Sequence, residues 1–114
     1  MHELSIALSI VEMGTEEAVR RGVDISAVHL RLGPLSGVVK EALLSCYSMA
    51  CEGTALEGSE LIIEDISIVG YCSNCCAERA IESIQNICCP VCGAPTPELS
   101  QGRELEVAAL QVRQ

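Results

Sequence analysis

With 114 residues and a mass of 12.1 kDa, the chain has room for one small domain, or for a small domain carrying a still smaller insert, and not for two full hydrophobic cores. Its formal charge of -9, from 16 acidic residues against 7 Lys and Arg, would repel a phosphate backbone, which argues against nucleic acid as a partner. Apolar residues make up 49% of the chain, yet only Tyr47 and Tyr71 are aromatic, so the core is built from Leu, Ile, Val and Ala, and base stacking or an aromatic cage is not expected.

In chain order, Glu3 to about Arg21 carries apolar residues at Leu4, Ala7, Leu8, Val11, Ala18 and Val19, with a second stripe at Ile6, Ile10 and Met13. This is helical spacing, and Gly22 supplies a C-terminal stop. Val28, Leu30 and Leu32 then alternate with His29 and Arg31, which predicts a strand with one buried face and His29 exposed on the other. Gly33-Pro34 ends that strand. Ser36 is expected to cap a second helix whose buried stripe runs Val39, Ala42, Leu43, Cys46, Met49 and Ala50, ending near Gly53. Residues 61–69, rich in β-branched side chains, predict a second strand. A third covers about residues 103–112, where Leu105 and Val107 alternate with Glu104 and Glu106. Between these two strands, residues 70–102 hold six of the eight cysteines and three of the four prolines. Such an insert cannot fold on apolar burial alone, so something else must hold it.

No apolar run approaches the roughly 20 residues that span a bilayer. The opening Met1-His2-Glu3 has neither the basic nor the apolar segment of a signal peptide. A cytoplasmic protein is the expectation, and in a reducing compartment cysteines in these numbers point to metal thiolates before disulfides.

Two Cys-x-x-Cys pairs sit in the insert, Cys72-Ser73-Asn74-Cys75 and Cys89-Pro90-Val91-Cys92, the latter followed by Gly93. Two intervening residues let both sulfurs of a pair face one ion from a tight turn, and two such turns complete a tetrahedral S4 site. Pro90 pre-sets φ in the second turn and Gly93 supplies the positive φ that often closes it. The thirteen residues between Cys75 and Cys89 are close to zinc-ribbon spacing. Two disulfides are one alternative. A rubredoxin-like iron site is another, against which stands Cys76, in the position a glycine would fill. Cys76 and Cys88 also open a second register, 72/76 with 88/92, but only Cys72, Cys75, Cys89 and Cys92 use two-residue spacing on both sides. The two extra thiols are then spare ligands, reactive groups or packing. A saturated S4 site has no open position, so its zinc would fold the insert without activating water.

His2 is the other informative residue. A histidine at the second position can offer its ring nitrogen, its own backbone nitrogen and the terminal amine as one fused chelate, with the Glu3 amide or a nearby carboxylate in fourth place. Nitrogen donors in a plane suit Ni(II) and Cu(II) and suit zinc poorly. If the helix begins near Glu3, its first N–H groups have no helical acceptor, so ligating them gives up no helical bond. By itself, His2 reads first as a solvated terminal residue.

Taken together, Met1-His2-Glu3-Leu4-Ser5-Ile6-Ala7, Leu32-Gly33-Pro34-Leu35-Ser36-Gly37-Val38 with Glu41 after it, and Cys72-x-x-Cys75 before Cys89-Pro90-Val91-Cys92-Gly93 make the chain resemble, over its whole length, the HypA (also HybF) family of hydrogenase maturation nickel chaperones. The resemblance implies an α+β fold, two helices packed on a small three-stranded sheet with a zinc-ribbon domain inserted before the last strand. The boundaries drawn from the sequence are 1–69 plus 103–114 for the nickel-binding domain and 70–102 for the zinc domain. It implies Ni(II) held by His2 with backbone nitrogens of Met1 and Glu3, and structural Zn(II) on the four cysteines. Some family members supply an acidic ligand at the start of the second helix; here position 40 is Lys, and Glu41 beside it is the candidate. Implied partners are a HypB-type GTPase and the [NiFe] hydrogenase large subunit, with urease accessory proteins in some organisms. No nucleophile with its base, phosphate loop or catalytic carboxylate pair is recognisable, so the expectation is a carrier and not an enzyme. Rival readings are a zinc-ribbon interaction module without metal transport, an iron electron carrier, and a cysteine enzyme using Cys76 or Cys88.

Overall fold

A computed structural model describes residues 2–96 and 98–113. In chain order the elements are α1 (Glu3–Arg21), β1 (Ile25–Leu32), α2 (Lys40–Cys51), β2 (Glu60–Asp65), β3 (Ile68–Cys72), β4 (Ala77–Ile81), β5 (Glu98–Gln101) and β6 (Leu105–Val112). The chain divides into two compact units, one formed by Met1–Leu30, Gly37–Glu64 and Glu106–Gln114, the other by Arg31–Ser36 and Asp65–Leu105. Among the described residues no helix is long and apolar enough to cross a membrane.

The first unit packs α1 against α2 and carries a three-stranded sheet of order β2-β1-β6. β1 is central and buries Ile25, Ala27, Val28, Leu30 and Leu32. Its start lies beside the end of β6, where the Arg113 N–H reaches the Asp24 carbonyl at 2.7 Å. At its C-terminus α1 stops on Gly22, whose φ of 64° is left-handed. There the Gly22 N–H bonds the Val19 carbonyl and the Val23 N–H bonds the Ala18 carbonyl, a Schellman closure that satisfies two orphan carbonyls.

The helices turn a different face inward from the one their large apolar residues suggest. On α1 the buried residues are Ala7, Ile10, Val11, Gly14 and Ala18, whereas Leu4, Leu8 and Val19 are half-exposed or more. Small residues face the core because another side chain needs the room. A Cβ on Gly14 would stand 2.6 Å from Cδ2 of Leu56, which is itself fully buried. On α2 the buried stripe is Leu43, Tyr47 and Cys51, while the expected members Val39 and Met49 are more than half exposed. Tyr47 can enter the core because its hydroxyl pairs with Ser59 Oγ at 2.7 Å, which removes the penalty of burying an unpartnered O–H.

Ser36 does not cap α2. It closes a short 3-10 turn, Pro34–Ser36, and the helix begins at Lys40 with Val39 as N-cap and no side-chain cap of its own. The Val39 N–H instead donates to Glu3 Oε2 at 3.1 Å, the service that a capping-box glutamate performs within one helix. The first turns of α1 and α2 are thereby tied together.

The second unit contains a three-stranded sheet of order β4-β3-β5, with β3 antiparallel to both neighbours. The β-branched run at residues 61–69 is therefore not one strand. It ends as β2 at Asp65 and restarts as β3 at Ile68 in a different sheet. At the break the Ile66 N–H bonds the Leu32 carbonyl at 2.8 Å, and Ile66 and Ile68 are both buried. Gly33 and Gly102 then meet backbone to backbone. The Gly33 N–H donates to the Glu104 carbonyl and the Leu35 N–H to the Gly102 carbonyl, each at 2.8 Å. A Cβ on Gly33 would lie 2.2 Å from the Gly102 oxygen, so only glycine permits the approach. Gly70 similarly makes way for Thr96, whose side chain would be 3.0 Å from a Cβ there.

Candidate metal centre

The first knuckle is the turn of the β3–β4 hairpin. Cys72, the last residue of β3, pairs with Ala77, the first of β4, and Ser73–Cys76 make the connection. The Cys75 N–H points back at Cys72 Sγ at 3.3 Å. Cys76 closes the turn with a φ of 54°, the one positive φ at a non-glycine position among the described residues. In the second knuckle the Gly93 N–H bonds the Cys89 carbonyl at 2.8 Å, the Cys89 N–H bonds the Ala94 carbonyl at 2.7 Å, and Gly93 has φ 80°. The Val91 N–H points at Cys89 Sγ at 3.4 Å. Both turns thus aim N–H groups at sulfur, which favours the thiolate form that binds metal.

These turns gather the sulfurs of Cys72, Cys75, Cys89 and Cys92 within 4.8 Å of one another. Cys72 to Cys92 is 3.5 Å and Cys75 to Cys89 is 3.9 Å. A zinc–sulfur bond of about 2.3 Å gives a tetrahedron whose edges are about 3.8 Å, whereas a disulfide needs about 2.0 Å. The spacing matches ligands around one ion. The alternative register is not the one assembled: Cys76 Sγ turns to the Ser73 carbonyl at 3.4 Å and Cys88 Sγ to Asn86 Oδ1 at 3.0 Å.

Crowding spreads the proton affinities of Cys75, Cys89 and Cys92 apart. The Cys89 thiol is pushed down to about 6 by the N–H groups of Cys92 and Val91, and Cys92 is lowered by the Ala94 N–H and then the Asn74 side chain. For Cys75 the Arg79 guanidinium pulls downward, but the neighbouring Cys92 thiol and burial outweigh it and hold the group at about 11. A divalent ion bound among the four sulfurs would relieve the repulsion between thiolates and displace the remaining protons. Arg79 and Asn74 were not among the residues singled out in the sequence. Arg79 left a signal there, as the only Lys or Arg between Gly70 and Gly102.

The amino-terminal candidates are placed differently. His2 is exposed and is the N-cap of α1, with φ -87°, ψ 111° and no side-chain cap bond. Its carbonyl accepts the first helical bond, from the Ile6 N–H at 3.3 Å. The Glu3 carboxyl is held below its ordinary range by the Val39 N–H first and by its own N–H second. Glu41 is exposed in the first turn of α2, two residues beyond Val39. Met1 lies outside the described residues. Among the described residues, the four cysteines are the one group of three or more Cys, His, Asp or Glu donors gathered closely enough for a metal, so His2 and Glu41 are not brought into such a group. His29 is partly buried on the sheet, its Nε2 3.1 Å from Gln111 Oε1.

Two helices with a three-stranded sheet, interrupted before the last strand by a ribbon that gathers four thiols, define a small α+β metal-binding protein. Residues 1–112 match the family described as hydrogenase/urease nickel incorporation, metallochaperone, hypA. The hydrogenase maturation factor HypA of Chloroflexus aurantiacus is 48% identical over 112 residues, covering 97% of this chain and 98% of that protein. Its namesake from a Roseiflexus species is 46% identical, with 97% and 91% covered. The chain belongs to the HypA family of nickel metallochaperones of hydrogenase maturation. In fold it is similar to the solution structure of the Ni metallochaperone HypA from Helicobacter pylori, with TM-score 0.66, 22% identity, and 98% and 97% covered. A second HypA solution structure is similar at TM-score 0.73, also 22% identical, with 99% and 97% covered.

Proposed function

We propose that this protein is a carrier that binds Ni(II) through the His2 ring and the backbone nitrogens of Met1, His2 and Glu3, and delivers it for [NiFe] hydrogenase maturation. The observation that carries the reading is the state of the chain before α1. His2 is exposed and its ring is not spent as a cap, and the N–H groups beside it have no helical acceptor to lose. Planar nitrogen ligation of this kind suits Ni(II). The Glu3 to Val39 bond brings the start of α2 to the same end of α1, which makes Glu41 the candidate for an added carboxylate ligand. An incomplete ligand set suits hand-over, because a partner can complete or strip it.

The four cysteines hold Zn(II), which folds the second unit and takes no part in delivery. All coordination positions of an S4 site are filled by protein, so nothing can be exchanged there without losing a ligand. Under this reading the partners are a HypB-type GTPase and the hydrogenase large subunit, with urease accessory proteins as a further destination. The setting is the cytoplasm, where thiols stay reduced. The acidic surface, formally -9, suits docking to basic partner patches.

Paired nickel and zinc quantification on the wild type and His2→Ala tests both halves. The expected result is loss of high-affinity Ni(II) binding with about one zinc per chain retained in both proteins. Unchanged nickel binding in His2→Ala would remove the carrier assignment and leave a zinc-ribbon interaction module; a red iron chromophore in place of zinc would overturn the cysteine assignment.

A further inference from the structure

In the sheet of the first unit, of order β2-β1-β6, β2 and β6 are both edges, and the two are guarded differently. An open edge invites another strand unless it is short, charged or interrupted by proline. β2 is six residues long and carries Glu60, Glu64 and Asp65 with no basic residue, so a second copy of itself would meet like charges. β6 has eight residues, Leu-Glu-Val-Ala-Ala-Leu-Gln-Val, with one charge and no proline. Backbone bonds at its two ends show which groups face the open side. The Arg113 N–H turns to Asp24 and the Glu104 carbonyl accepts from Gly33, so β6 runs antiparallel to β1. The Gln111 carbonyl, two residues from Arg113, also turns that way and takes the Ser26 hydroxyl at 3.2 Å. Along such a strand the polar groups of successive residues point to alternate sides. Those of Val112 and Leu110 at one end, and of Leu105 and Val107 at the other, therefore face away from β1. The phase changes between them at Ala108-Ala109, two exposed residues in succession. Beside the C-terminal end of the strand lies a cleft of about 240 Å³ lined by Glu17, Arg21, Val23, Ile25, Leu110 and Val112, and Val112 is left 41% exposed.

We propose that β6 is a self-association edge, pairing antiparallel with β6 of a second copy of this chain about a twofold axis that passes between Ala108 and Ala109. One register meets three separate requirements. For the backbone, it sets Leu105 opposite Val112 and Val107 opposite Leu110, so groups that face the open side meet groups that do the same. For the side chains, apolar meets apolar at those four positions, Ala108 meets Ala109, and Glu106 meets the neutral Gln111. For charge, Glu104 falls opposite Arg113 twice by symmetry, an attraction between copies that at a formal -9 each otherwise repel. Leu105 and Val107 of the second copy arrive beside Val112 and Leu110, where their side chains cover the cleft that the single chain leaves open. Because the same patch serves both copies, the contact closes at two. The cleft lies at the C-terminal end of α1, a helix of 19 residues and so about 28 Å long. His2 stands at the other end of that helix, away from the paired edge.

The full chain, kept reduced so that its eight cysteines cannot cross-link it, is followed by analytical ultracentrifugation over a wide range of concentration. Amide hydrogen exchange is read by NMR at both ends of that range. The expected result is a reversible monomer–dimer equilibrium with no larger species, and exchange at Leu105, Val107, Leu110 and Val112 that slows as the dimer fills. Val112→Pro removes an edge N–H that the single chain does not use in its sheet. By symmetry it takes two hydrogen bonds from the dimer, so the dissociation constant should rise about thirtyfold while the circular dichroism of the monomer is kept. Arg113→Glu sets an acid opposite Glu104 of the second copy and should also weaken the dimer, more at low salt than at high. A chain that stays monomeric throughout would overturn the proposal and leave the edge to an extended segment of another protein. So would a dimer whose four edge amides exchange as fast as in the monomer, or variants that associate as tightly as wild type. If Val112→Pro does not fold, Arg113→Glu and the exchange measurement on wild type decide: a weakened dimer with protected edge amides upholds the pairing, and any other combination refutes it.

Discussion

Replacing Gly33 with alanine should damage the protein far more than the addition of one methyl group would suggest. The new Cβ would stand 2.2 Å from the Gly102 carbonyl oxygen, 2.3 Å from its carbon and 2.8 Å from the Arg103 nitrogen. Unbonded heavy atoms settle at about 3.5 Å, so the two backbones must part by roughly an ångström. All three atoms in the way are main chain, so no side chain can swing aside. The displacement breaks the Gly33 to Glu104 and Leu35 to Gly102 bonds, each now 2.8 Å, worth about 1 kcal/mol apiece. Overpacking adds about 1–3 kcal/mol. The expected loss is about 3–5 kcal/mol, a large part of the roughly 5–15 kcal/mol that a domain of this size possesses. Urea unfolding of the zinc-loaded chain, followed by far-ultraviolet circular dichroism, measures it. Gly37→Ala is the control: its φ is 81° and open space surrounds it, so only the left-handed backbone is penalised, by roughly 1–2 kcal/mol. If Gly33→Ala lost no more than Gly37→Ala, the close approach of the two glycines would not be holding this unit.

Three further outcomes follow from the same geometry. Cys72→Ala should abolish zinc retention and unfold the second unit, whereas Cys76→Ser and Cys88→Ser should each keep about one metal per chain by elemental analysis, because their sulfurs turn to Ser73 and Asn86. Leu43→Ala, at a fully buried position, should cost about 2–5 kcal/mol in chemical denaturation, and Leu8→Ala, half-exposed on α1, should stay within about 0.5 kcal/mol. Glu3 gives a pH signature. Its folded value lies below 4.5 because it accepts the Val39 N–H, so its contribution is present above 4.5 and lost as pH falls through the folded value. The stability gap between wild type and Glu3→Gln should be open at neutral pH and close under acid; a gap that persists well below 4.5 would show that the carboxylate charge is not its source.

Much of the architecture was legible because local signals were strong. Gly22 ends α1 with a left-handed residue, and β1 and β6 follow alternating patterns that end near Leu32 and begin near Leu105. The metal cluster was legible because two-residue spacing is a local constraint: each knuckle determines its own pair of sulfurs, and only their meeting needs the fold. Less legible was whatever depended on distant partners. Apolar periodicity selects Leu4 and Leu8 alongside Ala7 and passes over Gly14, but the demand for room comes from Leu56, forty-two residues beyond Gly14 in sequence. Residues 61–69 carry no breaker, so the change of sheet at Ile66 follows from its bond to Leu32 and leaves no mark in composition. Ser36 looked like a cap because helix caps are normally local, yet Val39 receives its acceptor from another helix. Arg79 was overlooked for the opposite reason: the eye passes over a single charge in a strand unless the deficit of cations around it is counted.

The near-absence of aromatic residues has a practical corollary. With no tryptophan or phenylalanine, ultraviolet emission can come only from Tyr47 and Tyr71, and the two stand in different units. Tyr47 is sealed in α2 with 2% of its surface exposed, while Tyr71, 39% exposed, directly precedes Cys72 on β3. A soluble quencher should therefore silence one fluorophore and spare the other until the first unit opens, giving each half of the molecule its own optical reporter without a label.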